Sequence, residues 1–152
     1  MITRLLAVGA VAFLVGAGPA KADPAEMDTK ALQGTWEAVE QQPLQPVPDV
    51  THLRKVVIAG GTLTWHYGRG EQPTVTDSAY KLDPAAKPKA IDFVPASGTE
   101  KGKTYLGIYE LDGDSLKICY RGPGEERPTV FATKDGAMLY VLKRVPAGKA
   151  DK

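Results

Sequence analysis

The segment from residue 103 to residue 120 places the strongest constraint on the fold of this chain. Its sequence, KTYLGIYELDGDSLKICY, contains two alternating apolar runs on either side of the dipeptide Asp112-Gly113. Asp-Gly between such runs is typical of a tight β-hairpin turn, because glycine readily adopts the positive φ that these turns need. An isolated hairpin is only marginally stable in water, so this hairpin must belong to a larger sheet.

The register of the hairpin follows from the position of its turn. A turn centred on Asp112-Gly113 pairs Tyr109 with Leu116 and Tyr105 with Tyr120, and it directs these aromatic and aliphatic side chains to one face. A three-residue turn with a bulge would instead shift the pairing by one residue. In the first register, the aromatic face is expected to point into the interior of the protein.

Six further short segments alternate apolar and polar residues between Gly- or Pro-containing turns, which predicts six more strands: Gly34–Glu40, His52–Ile58, Thr62–Tyr67, Thr74–Leu82, Ala90–Val94 and Met138–Arg144. Consecutive strands joined by turns predict an all-β, antiparallel up-and-down arrangement. Eight strands can close into a barrel, which removes both sheet edges, and an open sandwich is the alternative. The polar segment Asp23–Leu32 predicts a short N-terminal helical turn capped by Asp28, which would cover one end of the sheet.

A second tight turn is predicted at Gly60-Gly61. It places three pairs of residues on the same face: Ile58 with Leu63, Val56 with Trp65, and Arg54 with Tyr67. The threonines and the histidine of the third strand then lie on the opposite face. This clean alternation of apolar and polar residues is typical of a sheet with one buried and one solvated face.

The first 22 residues have the pattern of a cleaved signal peptide. Arg4 provides the positive start, Leu5–Val15 the apolar core, and Ala20-Lys21-Ala22 a small-x-small cleavage site. We therefore expect an exported protein, periplasmic or extracellular, with no membrane span after cleavage. The expected organisation is a signal peptide (1–22), an N-terminal segment (23–31), one barrel domain (32–145) and a polar tail (146–152).

The charge balance of the mature chain gives no reason to expect binding to nucleic acid or to an anionic membrane. Once Arg4 and Lys21 are removed with the signal peptide, 17 basic residues face 18 acidic ones. Proteins that bind nucleic acid usually carry a clear excess of basic residues or a basic patch.

The titratable side chains predict no metal site, no cofactor and no catalytic residue. His52 and His66 are the only histidines, and the Gly60-Gly61 register places them on opposite faces. Cys119 is the single cysteine, so no internal disulfide can form. We expect it to be a half-buried strand residue, since the nearby Lys117 alone is weak support for a reactive thiol.

The loops divide the predicted barrel into two unlike ends. An up-and-down barrel sends alternate connections to opposite ends, and the long ones share one end, which we call the mouth: Gln41–Thr51, Gly68–Pro73, Pro95–Gly102 and Arg121–Gly136. The opposite end, with the turns at Gly60-Gly61 and Asp112-Gly113, is called the base. Binding sites concentrate in loops on rigid scaffolds, so the mouth is the predicted functional end.

Two features at the base resemble the lipocalin signature. Lipocalins have a Gly-x-Trp sequence at the start of the first strand and an Arg or Lys from the last strand that lies over the indole. Here Gly34-Thr35-Trp36 and Arg144 match this pattern. The resemblance implies a lipocalin-like barrel, and it leaves the ligand open because that fold serves several functions.

The chain also resembles a family of exported lipocalin-like domains of unknown function, the planctomycete-type extracellular domain. The segments that carry this resemblance span most of the mature chain: LQGTWE, YKLDPAAKPKAID, GKTYLGIYELDGDSLKICY, ERPTVF and VLKR. The resemblance implies export and the barrel fold, and it implies no reaction.

All six tyrosines lie on faces that are predicted to point inward, together with Trp65 and Phe93. One interpretation is an aromatic pocket for a small apolar ligand, with these candidate residues: Arg54, Trp65, Tyr67, Tyr80, Phe93, Tyr105 and Tyr120. The other is a packed interior, which we favour because an eight-stranded barrel encloses little more than its own side chains.

The sequence leads to three functional hypotheses. The first is a non-enzymatic exported binding module, which holds a small apolar ligand in the barrel or a partner at the mouth. The second is an inhibitor- or scaffold-type module that recognises another exported protein. The third is an enzyme at the mouth, which would need titratable groups that converge there, such as those of His52, Arg54, Glu71 and Arg121.

Overall fold

The computed structural model describes residues 18–42, 52–68 and 71–149. Most of the predicted signal peptide, most of the loop predicted at Gln41–Thr51, part of the loop Gly68–Pro73 and the end of the polar tail lie outside the described residues. No described helix has the length and hydrophobicity that a membrane crossing requires.

The described chain forms one α-helix and eight β-strands: α1 (Pro24–Leu32), β1 (Gly34–Gln42), β2 (Leu53–Ala59), β3 (Thr62–Tyr67), β4 (Thr74–Asp83), β5 (Ala90–Pro95), β6 (Tyr105–Asp112), β7 (Ser115–Arg121) and β8 (Met138–Arg144). Each strand pairs antiparallel with the next, and β1 pairs with β8. This closed up-and-down barrel confirms the predicted all-β fold and is consistent with a lipocalin-like architecture.

Alternation along the strands determines which side chains fill the barrel. In β3, Leu63 and Trp65 are buried, whereas Thr62, Thr64 and His66 are partly exposed. The same pattern in the other strands builds one apolar cluster inside the barrel, and all six tyrosines belong to it or pack against it. The predicted inward orientation of the tyrosines is therefore confirmed.

The register of the β6–β7 hairpin differs by two residues from the predicted one. Tyr109 pairs with Ile118, and Leu111 pairs with Leu116, so the turn is centred on Gly113-Asp114. Gly113 has a φ of 56°, as expected when glycine occupies the first central position of a type II′ turn. Because the shift is an even number of residues, each side chain keeps its predicted face, and Leu111, which the predicted register places opposite Asp114, has Leu116 as its cross-strand partner.

The β2–β3 hairpin has the predicted turn and the predicted pairs Ile58–Leu63 and Val56–Trp65. The prediction for Arg54 is wrong, because the register shifts within β2 and Leu53 takes the position opposite Tyr67. Leu53 is buried and Arg54 is exposed on the outer surface. Burying a leucine rather than a charged guanidinium explains which of the two adjacent residues points inward.

The N-terminal helix is longer than the single turn that was predicted, and its cap is Asp23 rather than Asp28. Asp23 Oδ1 accepts a hydrogen bond from the backbone N–H of Ala25 at 2.9 Å, and Pro24 occupies the first helical position. Asp28 lies within the helix and accepts hydrogen bonds from Lys89 Nζ at 2.7 Å and Tyr109 Oη at 2.5 Å. These contacts hold α1 against the barrel.

The base is closed by the contact that the lipocalin resemblance predicts. The guanidinium of Arg144 lies 4.2 Å from the centre of the Trp36 ring. It also donates hydrogen bonds to the carbonyl oxygens of Gln33 at 2.8 Å and Ala31 at 2.6 Å, and to Asp114 Oδ1 at 3.1 Å. One side chain therefore links the last strand to the end of α1 and to the β6–β7 turn.

Gly34 has a specific role at this base. Its φ is 128°, and a Cβ atom at this position would lie 3.2 Å from Nη1 of Arg144. Trp36 is fully buried, and its Nε1 donates a hydrogen bond to the carbonyl oxygen of Leu32 at 2.8 Å. The Gly-x-Trp pattern thus provides a close approach for the arginine and an anchor for the helix.

The long connection between β7 and β8 does not stand freely at the mouth, because it folds back over the outer wall. Arg127 Nη1 donates hydrogen bonds to Asp92 Oδ1 at 2.6 Å and to the Gly107 carbonyl oxygen at 2.7 Å. Beneath this loop lies a second apolar cluster, outside the barrel: Ile108, Cys119, Ala137 and Leu139, with Phe131 packed against it. The loop therefore contributes to the stability of the barrel wall.

Candidate ligand cavity at the barrel mouth

Four strands bring aromatic side chains together inside the mouth. Phe93 of β5 and Tyr105 of β6 are cross-strand partners, and their rings stack with centroids 5.1 Å apart at an angle of 6°. Tyr120 of β7 meets Phe93 edge to face at 5.0 Å and 83°. Trp65 of β3 lies 5.3 Å from Phe93, and Tyr67 stacks on Trp65 at 6.4 Å. These mutual contacts hold the rings in fixed orientations.

A cavity of about 220 Å³ lies among these rings. Polar residues of β4 and of the β5–β6 loop complete its lining: Thr76, Ser78, Ser97, Thr99 and Glu100, with Pro95 and Gly98. Below it, the barrel is filled by buried side chains that include Trp36, Leu116 and Ile118. The interior is thus packed towards the base and contains a cavity at the mouth, so each of the two predicted interpretations describes part of the barrel.

Two polar atoms of the lining residues are buried without a hydrogen-bond partner among the described residues. They are Nε1 of Trp65 and Oγ of Ser78, and these side chains belong to residues only 2% and 1% exposed. Trp65 pairs with Thr76 across β3 and β4, so Ser78 lies two residues further along β4 on the same inward face. Each buried polar group without a partner has a free-energy cost, which calls for a physical explanation.

The phenol groups of the cavity are neutral at physiological pH. Burial raises the pKa of Tyr67 far above its usual value, and the nearby Tyr140 and Tyr105 raise it further. Burial also raises the pKa of Tyr120 strongly. For Tyr105, burial and then the charge of Glu100 raise the pKa. These tyrosines can donate and accept hydrogen bonds, but they cannot act as bases near neutral pH.

Glu100 is the charged residue among those that line the cavity in the described part of the chain. Its carboxylate lies 3.2 Å from Lys103 Nζ and interacts with the hydroxyl group of Tyr105. Both charged side chains are more than one third exposed, so solvent weakens this ion pair. The rim of the cavity is therefore slightly acidic or neutral.

Of the seven predicted ligand-binding residues, the structure brings five into the cavity: Trp65, Tyr67, Phe93, Tyr105 and Tyr120. The prediction for Tyr80 is wrong, because this residue lies at the base, where its hydroxyl donates a hydrogen bond to the carbonyl oxygen of Gly60 at 3.1 Å. Arg54 is exposed on the outer surface. Tyr80 lies on the inward face of β4, as predicted, but it is too close to the base to reach the cavity at the mouth.

The polar half of the lining was not among the predicted site residues. Ser78 lies two residues before Tyr80 and so on the same face of β4, and a serine on a face with inward aromatic residues is the signal that could have identified it. Ser97, Thr99 and Glu100 belong to the β5–β6 loop, whose path over the cavity has no periodicity that a sequence pattern can reveal.

The four titratable side chains named for an enzyme at the mouth, those of His52, Arg54, Glu71 and Arg121, are not among the described residues that line this cavity. Arg121 Nη2 donates a hydrogen bond to Asp135 Oδ2 at 2.9 Å, in the loop that covers the outer wall. His66 lies on β3 outside the cavity lining, where burial and then the charges of Lys55 and Arg54 lower its pKa. Within the described ranges, no group of three or more His, Cys, Asp or Glu residues is placed to hold a metal ion.

Cys119 is fully buried rather than half-buried as predicted. It lies on the outer face of β7 beneath the covering loop, and its Sγ is 3.7 Å from the carbonyl oxygen of Val130 and 3.6 Å from that of Ala132. Burial raises the pKa of this thiol, against smaller lowering effects of a backbone hydrogen bond with Ala132 and the charge of Arg121. The structure thus favours a packing role over that of a nucleophile.

We expect Cys119 to react with a thiol reagent such as dithionitrobenzoate at least about 100-fold more slowly in the native protein than in denaturant, because both its burial and its raised pKa suppress the thiolate. Absorbance of the released thionitrobenzoate would measure both rates. Rapid, complete labelling of the native protein would contradict the buried position of this thiol.

Comparisons with known proteins identify no relative. No known protein-family model matches the chain, and searches of curated proteins and of solved structures find no significant match.

Proposed function

We propose that this protein is an exported, non-enzymatic binding module that holds a small molecule in the cavity at the barrel mouth. The observation that carries this proposal is the combination of a cavity of about 220 Å³ with five aromatic side chains around it, above an apolar cluster of buried side chains. Concave sites with mostly apolar walls and a few polar groups are the usual form of small-molecule sites.

The size of the cavity limits the ligand to a small one. An apolar protein cavity of about 150 Å³ accommodates benzene, so about 220 Å³ suits a single aromatic ring with one short substituent. Drug-sized ligands usually need about 300 Å³ or more. A ligand with so few atoms is expected to bind with a Kd of about 10 μM to 1 mM.

The support for export comes from the sequence of residues 1–22, and the resemblance to exported lipocalin-like domains agrees with it. The alternative function, an inhibitor or scaffold module for another protein, has less support. The longest described loop, residues 122–137, packs on the barrel wall through Arg127 and the cluster around Cys119 instead of projecting as a recognition loop.

A cavity-filling substitution tests this proposal. Thr76→Trp introduces a large side chain into the cavity from β4 and is expected to raise the Kd for small aromatic probes at least about tenfold, since the added ring occupies their volume. Chemical-shift titration of labelled protein with a set of single-ring aromatic compounds would measure the Kd values.

The matched control is Val75→Trp, which adds the same side chain at an exposed position next to Thr76. The Val75→Trp protein should bind the probes as the unsubstituted protein does. Equal binding by all three proteins, or binding of no probe by the unsubstituted protein, would contradict a ligand site in this cavity. Native mass spectrometry of the mature protein, isolated from the organism that produces it, would then identify the ligand.

A further inference from the structure

We infer that the ligand of this cavity is a neutral, single-ring molecule with an oxygen atom that accepts hydrogen bonds from both Trp65 and Ser78. This inference rests on the proposed function and specifies the chemical class of the ligand. The two atoms that carry it are Nε1 of Trp65 and Oγ of Ser78, which are buried without a partner in the described structure although both residues line the cavity.

The chemistry of these two groups defines their common partner. An indole N–H can only donate a hydrogen bond, and a serine hydroxyl can donate one while it rotates freely about its bond. A carbonyl oxygen has two lone pairs and can accept from both groups at once. Trp65 and Ser78 are diagonal neighbours on the inner face of β3 and β4 and both line the cavity, so we place the ligand oxygen between them.

The remaining lining agrees with an uncharged ligand. Tyr67, Tyr105 and Tyr120 have raised pKa values and stay neutral. Glu100 carries a negative charge at the rim, and the lining residues that the structure describes include no lysine or arginine. A carboxylate ligand would therefore lose its hydration without gaining a cation from these residues, whereas an aromatic ketone, aldehyde or amide would lose little.

A pair of probes with nearly the same shape tests the inference. Acetophenone and ethylbenzene differ mainly in one carbonyl oxygen, and we expect acetophenone to bind about tenfold more tightly, because ethylbenzene leaves both buried groups without partners. Benzoate should bind more weakly than acetophenone. Chemical-shift titration of the unsubstituted protein would measure the three Kd values under one set of conditions.

Two conservative variants link this preference to the named atoms. Trp65→Phe removes the N–H and keeps an aromatic ring, and Ser78→Ala removes the hydroxyl and leaves the strand unchanged. Each variant is expected to weaken the binding of acetophenone more than that of ethylbenzene, so that the ratio of the two Kd values shrinks several-fold. Circular dichroism and thermal unfolding would verify that both variants fold.

The outcomes separate this inference from the proposed function. If acetophenone and ethylbenzene bind equally, or if both variants keep the full preference, a bound water satisfies the two groups and the inference fails while the cavity remains a ligand site. If benzoate binds most tightly, the assignment of a neutral ligand is wrong. If none of the three probes binds, the proposed function itself loses its support.

Discussion

Replacing Arg144 by alanine is expected to lower the free energy of unfolding by about 3 kcal/mol. The substitution removes the cation that lies 4.2 Å from the Trp36 ring, an interaction worth about 0.5–2 kcal/mol. It also removes the part-buried hydrogen bond to the carbonyl oxygen of Gln33, and such a bond from a charged donor contributes about 1.5–3 kcal/mol. The exposed bond to the carbonyl oxygen of Ala31 is also lost and contributes less. Denaturant unfolding followed by tryptophan fluorescence would measure the loss.

Lys143→Ala is the matched control for this prediction. Lys143 is adjacent on β8, carries the same charge and is exposed, so its removal should change the free energy of unfolding by less than about 0.5 kcal/mol. The loss of unfolding free energy for Arg144→Lys should lie between those of the two alanine variants, because a lysine ammonium group retains the charge but cannot form the several directed hydrogen bonds of the planar guanidinium. If Arg144→Ala were as stable as Lys143→Ala, the closure of the base would not depend on this contact.

Replacing Gly107 by alanine is expected to lower the free energy of unfolding by about 2 kcal/mol. A Cβ atom at this position would lie 3.0 Å from the carbonyl oxygen of Cys119, 3.0 Å from Cβ of Tyr120 and 3.2 Å from the carbonyl oxygen of Ile91. Two of these atoms are backbone atoms of the adjacent strands, so relief requires β6 to move, and overpacking of this kind costs about 1–3 kcal/mol. Thermal unfolding and denaturant titration would measure the effect.

Gly61→Ala is the control for the effect of a methyl group on a glycine. A Cβ atom at Gly61 meets nothing within 4 Å, and its φ is not positive, so the free energy of unfolding should change by less than about 0.5 kcal/mol. Because Tyr120 borders the cavity, Gly107→Ala should also weaken the binding of aromatic probes. A Gly107→Ala protein as stable as the Gly61→Ala protein would contradict the close packing of β5, β6 and β7.

Much of the barrel can be predicted because strand alternation and turn residues depend only on neighbouring positions in the sequence. The bounds of β3 and β8 agree with the predictions, and those of β2, β4 and β5 differ by one residue. Tight turns at Gly60-Gly61 and close to Asp112-Gly113 restrict the pairing to a few registers. The remaining error in the β6–β7 register arose because Asp112-Gly113 and Gly113-Asp114 both satisfy turn chemistry, and the pairing of Leu111 with Leu116 favours the second.

The predictions for Arg54 and Tyr80 in the ligand site were wrong because contacts between distant segments, and not the alternation of side chains along a strand, decide where these residues lie. Arg54 was predicted to point inward, but a shift of register within β2 buries Leu53 in its place. Tyr80 has the predicted parity, yet the position of β4 relative to its neighbours places its hydroxyl beside Gly60 at the base. The alternation along a strand identifies the face on which a residue lies, but it does not give the distance of that residue from the base or the mouth of the barrel.

The sequence by itself determined the all-β class, the eight strands, the inward tyrosines and the contact between Trp36 and Arg144, because these depend on the period of two, turn chemistry and one signature. Only the tertiary structure decided that a cavity remains at the mouth, that the loop 122–137 covers the outer wall, and that Trp65 and Ser78 present polar atoms without partners. The physical reason is that a cavity and an unpaired polar group both depend on how side chains from many distant parts of the chain pack together. A local sequence pattern contains no information about that packing.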